Sequence, residues 1–191
     1  MKKRKLSITL NAPLVLTFVF LCFVVTIIGI WTKGKSTELL FMNYRSSLKN
    51  PLTYLRFFTH IFGHSGWPHF LSNACYLLIL GPMLEEKHGQ KILACAILIT
   101  ALITGLINFI IFPNVAICGA SGVVFAFIVL ASFTGFKQGE IPLSFILVVV
   151  IYLGQQIIDG LFTVDNISQM AHIVGGLVGA VLGYVVNIKR K

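Results

Sequence analysis

Gly119-Ala120-Ser121-Gly122 places one serine among small residues at the head of an apolar run, Val123 to Phe136. Glycines on both sides let a peptide backbone approach the hydroxyl, which suits a nucleophile; such clusters also serve tight packing of membrane helices. Serine attacks a carbonyl only when a base takes its proton, and His172 is the candidate base. His69 and Asn73 are four residues apart, about 40° around a helix, so they share a face. Donors so placed suit an oxyanion hole completed by the Ser121 backbone N–H. The chemistry this set could do is acyl transfer by a Ser-His dyad. It is not the G-x-S-x-G elbow of soluble hydrolases, because Val123 follows Gly122.

The elements that must position these groups are membrane helices. Of the 191 residues, 57% are hydrophobic and 11% charged, with a mean hydropathy of +0.90, which excludes an ordinary soluble domain. Six spans are predicted in a single domain over 1–191: about 12–31, 68–84, 92–112, 121–136, 141–161 and 170–188, the second and fourth of them short. The first lacks an A-x-A-like cleavage site and reads as a retained helix. Cys22, Cys75 and Cys95 fall inside spans and Cys118 beside the motif, which suits apolar packing and not a disulfide framework.

The net charge of +9 is distributed in a way that argues against a nucleic-acid partner. With the amino terminus cytoplasmic, ten of the basic residues lie in inner segments and five in outer ones, the positive-inside pattern. Both termini are therefore expected in the cytoplasm, with the basic ends on anionic lipid. The short termini suggest a bacterial plasma membrane.

In this topology spans two, four and six all run inward from the outer face. His69 with Asn73, Ser121, and His172 then reach one depth on three helices, where polar groups facing lipid are costly. Gly175, Gly176, Gly179 and Gly183 fall within about 60° of His172, a stripe that lets a neighbouring helix come close. Ser121 shares a face with Phe125, Ile128, Ser132 and Gly135, the expected mating surface, and Phe125 is expected to orient the imidazole in place of a carboxylate. A fourth span of sixteen residues, about 24 Å against about 30 Å of hydrocarbon, sinks the serine below the outer surface into a small wet cavity. The outer loop Lys33 to Trp67 is long and partly apolar, so it is expected to be ordered and interfacial.

Taken in order, Arg56-Phe57-Phe58-Thr59-His60, His64, His69, Asn73, Gly81 to Glu85, Gly89, Gly119-Ala120-Ser121-Gly122, and Ala171-His172 with Gly175 and Gly179 resemble the rhomboid intramembrane serine proteases. The resemblance covers spans two to six and the end of the first outer loop. It implies an all-α bundle of six transmembrane helices, Ser121 as nucleophile, His172 as general base, and His69 and Asn73 as oxyanion donors. Gly119, Gly122, Phe125, Gly175 and Gly179 would support them. It further implies cleavage of transmembrane protein substrates near the outer face, with neither cofactor nor metal. Two positions depart from the family: Leu55 stands where a tryptophan is usual, which puts loop anchoring in question, and Phe125 where a tyrosine is usual, which keeps stacking but loses a hydroxyl.

Other readings attach to the same residues. A non-catalytic rhomboid-like protein that binds membrane clients would be expected to lack the serine or the histidine, and both are present. A transporter would need charged groups near the midplane. His60, His64 and His69 lack a metal-binding arrangement such as H-E-x-x-H, and His60 and His64 fit loop-holding or cavity-lining roles better. Glu85 and Glu86 read as a solvated inner turn, with helix packing as the alternative.

Overall fold

The computed structural model describes residues 9–133, 143–154, 158 and 167–188. Helix α1 (Pro13–Trp31) leads through a tight turn to the short α2 (Lys35–Leu40). Helix α3 (Pro51–Thr59) runs into a 3-10 turn at His60–Phe62, and α4 (Trp67–His88), α5 (Gln90–Ile111) and α6 (Ser121–Ser132) follow. The remainder comprises α7 (Leu143–Val148), continued by a π-helical turn at Val149–Leu153, and α8 (Ile167–Ile188). Among the described residues, three helices are long and apolar enough to cross a membrane: α1, α5, and α8 over Gln169–Val186. Helix α4 has the length, 22 residues or about 33 Å, but carries His69, Asn73, Glu85 and Glu86.

The centre of the bundle is α6. Every residue from Gly122 to Leu130 is buried, as a helix apolar on all sides requires, and α4, α5, α7 and α8 pack around it. The sixteen-residue fourth span is a helix of 12 residues among those described, with Phe133 in a 3-10 turn and Gly135 outside the described set.

Helix α4 runs four residues past the predicted end of the second span and takes in Glu85. It is no solvated turn: it is 5% exposed, and its carboxylate accepts from the Leu14 N–H at 3.1 Å and the Val15 N–H at 3.0 Å. These are unsatisfied donors in the first turn of α1, where Ala12 supplies no side-chain cap. A carboxylate there also complements the helix dipole. Glu86 is exposed, and the chain turns at Gly89, whose φ of 81° favours glycine. Above Glu85, a methyl on Gly81 would fall 2.5 Å from Val15 Cγ1, so α1 and α4 lie in close contact. Nearer the other end Phe23 of α1 packs on Trp67 and Phe70 of α4, with centroids 5.8 and 6.0 Å apart.

The long first loop is ordered, and Arg56 and Thr59 secure it despite Leu55. The Arg56 guanidinium is buried, donates from Nε to the Leu39 carbonyl at 2.9 Å, and stacks 4.3 Å above the Tyr44 ring. Thr59 Oγ1 donates to the Leu40 carbonyl. The Leu55 side chain is exposed. Asn43 pairs with Ile117 through reciprocal backbone bonds of 2.8 and 2.9 Å, which ties this loop to the segment leading into Ser121. Of the cysteines, Cys22 is buried as expected, while Cys75 and Cys95 lie on exposed outer faces of their helices.

Candidate active site

Ser121 is the first residue of α6 and is half-buried. The turn before it depends on Gly119, whose φ of 129° lies in the region glycine tolerates and side chains rarely adopt. Two histidines of the first loop hold this turn. The Gly119 N–H donates to the His60 carbonyl at 2.9 Å, and the Ala120 N–H points to His64 Nε2 at 3.5 Å. The histidines are themselves fixed: His60 Nε2–H donates to the Ala101 carbonyl of α5, and His64 Nδ1–H to the Phe62 carbonyl, each at 3.1 Å.

Helix α4 brings His69 and Asn73 to the same turn. A methyl on Gly119 would fall 2.7 Å from His69 Cε1 and Nε2 and 3.8 Å from Asn73 Nδ2, so both side chains face the Gly119 backbone, two residues from Ser121. Asn73 is 6% exposed, and its Nδ2 has no hydrogen-bond partner among the described residues. A buried amide donor left unpaired costs about 1–3 kcal/mol, so its retention calls for a reason.

On the other side stands α8. Its glycine stripe seats on α6 as expected, but on a surface one residue along from Ser121, Phe125 and Ile128. Methyl groups on Gly175, Gly179 and Gly183 would fall 2.0 Å from the Gly122 carbonyl oxygen, 2.3 Å from the Ala126 carbonyl oxygen and 2.6 Å from the Phe133 ring. Gly122 in turn lies against the Ala171 carbonyl. One turn of α6 carrying Ser121 thus faces the turn of α8 carrying His172. The His172 ring stacks on Phe125, centroids 4.2 Å apart and planes at 9°, so the departure from tyrosine keeps the stack. Asp159, Asp165 and Gln155 lie outside the described residues.

Cys118 lies three residues before the serine. Burial pushes its thiol up to about 11, which keeps it protonated at neutral pH.

The loop histidines respond to burial in the opposite sense. Burial lowers both His60 and His64 to about 4, and the neighbouring His69 imidazole adds to the effect on His64. Folding therefore favours the neutral rings. Between pH 6.5 and about 4 the unfolded chain binds the more protons, so stability falls as pH drops through that window. Each group accounts for about 3 kcal/mol when the window is crossed in full. The thermal midpoint in detergent is expected to drop steeply between pH 7 and pH about 4.5, and a flat profile would contradict the assignment.

Sequence reasoning assigned His60 and His64 only a general loop-holding or cavity-lining role, and it missed Ser65. Ser65 Oγ lies 3.2 Å from His69 Nδ1. The four-residue spacings His60 to His64 and Ser65 to His69 were the available signal.

A bundle of apolar helices with a serine, two histidines and an amide gathered at its central helix defines a polytopic membrane protein with a partly buried polar centre. Residues 51–189 match the rhomboid domain, and the chain belongs to the rhomboid family, whose members are integral membrane proteins. It is similar to the rhomboid protease GlpG of Haemophilus influenzae, at 28% identity over 71% of each chain. It is 31% identical to Rhomboid-related protein 1 of Caenorhabditis elegans over 69% of this chain and 39% of that one. With Rhomboid-like protein 11, chloroplastic, of Arabidopsis thaliana the identity is 27%, over 69% and 52%. The chain spans about half the length, or less, of the two eukaryotic relatives.

Proposed function

We propose that the chain is an intramembrane serine endopeptidase that cleaves transmembrane helices of membrane-protein substrates near the outer face of a bacterial plasma membrane, with both its termini cytoplasmic. The observation that carries this reading is the unpaired, buried Asn73 Nδ2 beside His69 at the Gly119 turn. Donors held ready without a partner are what an oxyanion hole needs, because the charge they serve exists only during reaction.

In the proposed mechanism His172 accepts the Ser121 proton as Oγ attacks the scissile carbonyl. The tetrahedral oxyanion is held by the Ser121 N–H, His69 and Asn73, and His172 returns the proton to the leaving amine. Water, activated by the same imidazole, then hydrolyses the acyl-enzyme. The names of the GlpG relatives support proteolysis, and presence of both Ser121 and His172 favours it over client binding. Exposed apolar residues of the first loop, Leu39, Leu48, Tyr54 and Phe58, suit contact with lipid or a substrate helix.

The test is cleavage of a fluorogenic transmembrane substrate by purified protein in detergent, beside Ser121→Ala; no cleavage by the native chain, or equal cleavage by both, would overturn the reading. Asn73→Ala removes one donor and leaves others. A fall in kcat on the order of 10²-fold with little change in KM is expected, and an unchanged kcat would assign Asn73 a packing role.

A further inference from the structure

Ser65 holds none of the roles above, yet two of its atoms meet the same ring nitrogen. Its backbone N–H points to His69 Nδ1 at 3.5 Å and its Oγ lies 3.2 Å from that atom. A backbone N–H can only donate, so Nδ1 is an acceptor in this arrangement, and the hydroxyl can supply a second proton to it. A neutral imidazole that accepts at Nδ1 carries its proton on Nε2, and Nε2 is the nitrogen that faces Gly119. We propose that Ser65 is a positioning residue that selects the Nε2–H tautomer of His69 and thereby makes it a donor toward the oxyanion. The inference rests on the reading of His69 as an oxyanion donor.

The adjacent His64 does not compete with Ser65 for this task. The His64 ring stands edge-on to His69 with centroids 4.9 Å apart, but its nitrogens are turned to the Phe62 carbonyl and the Ala120 N–H. Ser65 is exposed and lines an open cavity of about 440 Å³ with Lys33, Thr37 and His64. Water reaching Nδ1 from that side can accept a proton as readily as donate one. With the proton on Nδ1, Nε2 would present a lone pair to a developing negative charge, which repels it. A hydroxyl and an N–H fixed on Nδ1 remove that state.

Ser65→Ala keeps the N–H and loses the hydroxyl, so kcat is expected to fall about 5- to 10-fold, the worth of one hydrogen bond, with KM unchanged. Ser65→Thr restores the hydroxyl and should restore most of the rate. In a His69→Ala background Ser65→Ala should cost nothing further, because its effect passes through the imidazole. Selective ¹⁵N labelling of histidine supplies a readout independent of turnover: the native His69 should show a pyridine-type Nδ1 and a protonated Nε2, and Ser65→Ala should move both toward averaged values. Full activity of Ser65→Ala, an equal loss in both backgrounds, or a native Nδ1–H signal would overturn the proposal. Full activity of His69→Ala would instead remove the oxyanion reading beneath it.

Discussion

Ser121→Ala is expected to reduce cleavage of a transmembrane substrate to background, a loss on the order of 10⁴-fold or more in kcat. The substitution removes one oxygen from a half-buried residue at the first position of α6, where no side-chain cap is lost, so the fold should be unaffected. Its neighbours Ala120 and Gly122 carry no group that could replace it, and the Cys118 thiol is held protonated. His172→Ala should be nearly as severe, since without a base the hydroxyl stays protonated. The double variant should be no worse than the worse single one, because nucleophile and base act as a unit. A serine-directed fluorophosphonate gives a second measurement, with labelling absent in Ser121→Ala and slowed in His172→Ala. Additive losses, or labelling that survives in Ser121→Ala, would contradict the dyad.

Gly175→Ala is expected to damage both stability and turnover. A methyl there would fall 2.0 Å from the Gly122 carbonyl oxygen, 2.8 Å from its carbon and 3.0 Å from its Cα, all backbone that no rotamer change relieves. Helices α6 and α8 would have to part by on the order of 1 Å. Alanine gains about 1 kcal/mol of helix propensity over glycine, while overpacking of this kind costs about 1–3 kcal/mol, so the clash prevails. The larger effect is on geometry. Gly175 is one turn from His172, and a displacement of that size between the proposed nucleophile and base can cost about 10²-fold in rate. Leu177→Ala, on the exposed side of the same helix at 56% exposure, is the control and should change neither quantity appreciably. A Gly175→Ala protein with native midpoint and rate would show that the two helices do not depend on this contact.

Much of this site was legible because its residues repeat at helical spacing. His69 with Asn73 and Gly175 with Gly179 announce their faces through separations of four, and the apolar runs place those faces on membrane helices. The partner of a face is another matter. Gly122, Ala126 and Phe133 receive the α8 glycines, whereas the sequence offered Ser121, Phe125 and Ile128 one residue away; periodicity alone does not distinguish adjacent stripes on a helix apolar all round. Glu85 was unreadable for a related reason. Its partners are N–H groups 70 and 71 residues distant, and a carboxylate beside lysine and histidine looks solvated until those donors are in view. The loop histidines meet backbone carbonyls and N–H groups, which leave no mark in residue type, and Ser65 meets His69 through one hydroxyl of a common residue.

Within the bundle around α6, the contacts near Glu85 and along the glycine stripe clasp two helix pairs. Helices α1 and α4 are pinned by a carboxylate, by Gly81 on Val15 and by an aromatic cluster; α6 and α8 are zipped backbone to backbone. On the proposed assignment, nucleophile, base and the Ser121 N–H ride together on the second pair, while the side-chain oxyanion donors His69 and Asn73 ride on the first. The site is therefore a seam, its two lips carrying complementary halves of the chemistry. A peptide bound there spans the seam and acts as a rivet between the pairs, so occupancy by substrate should stiffen the whole bundle and not its cleft alone.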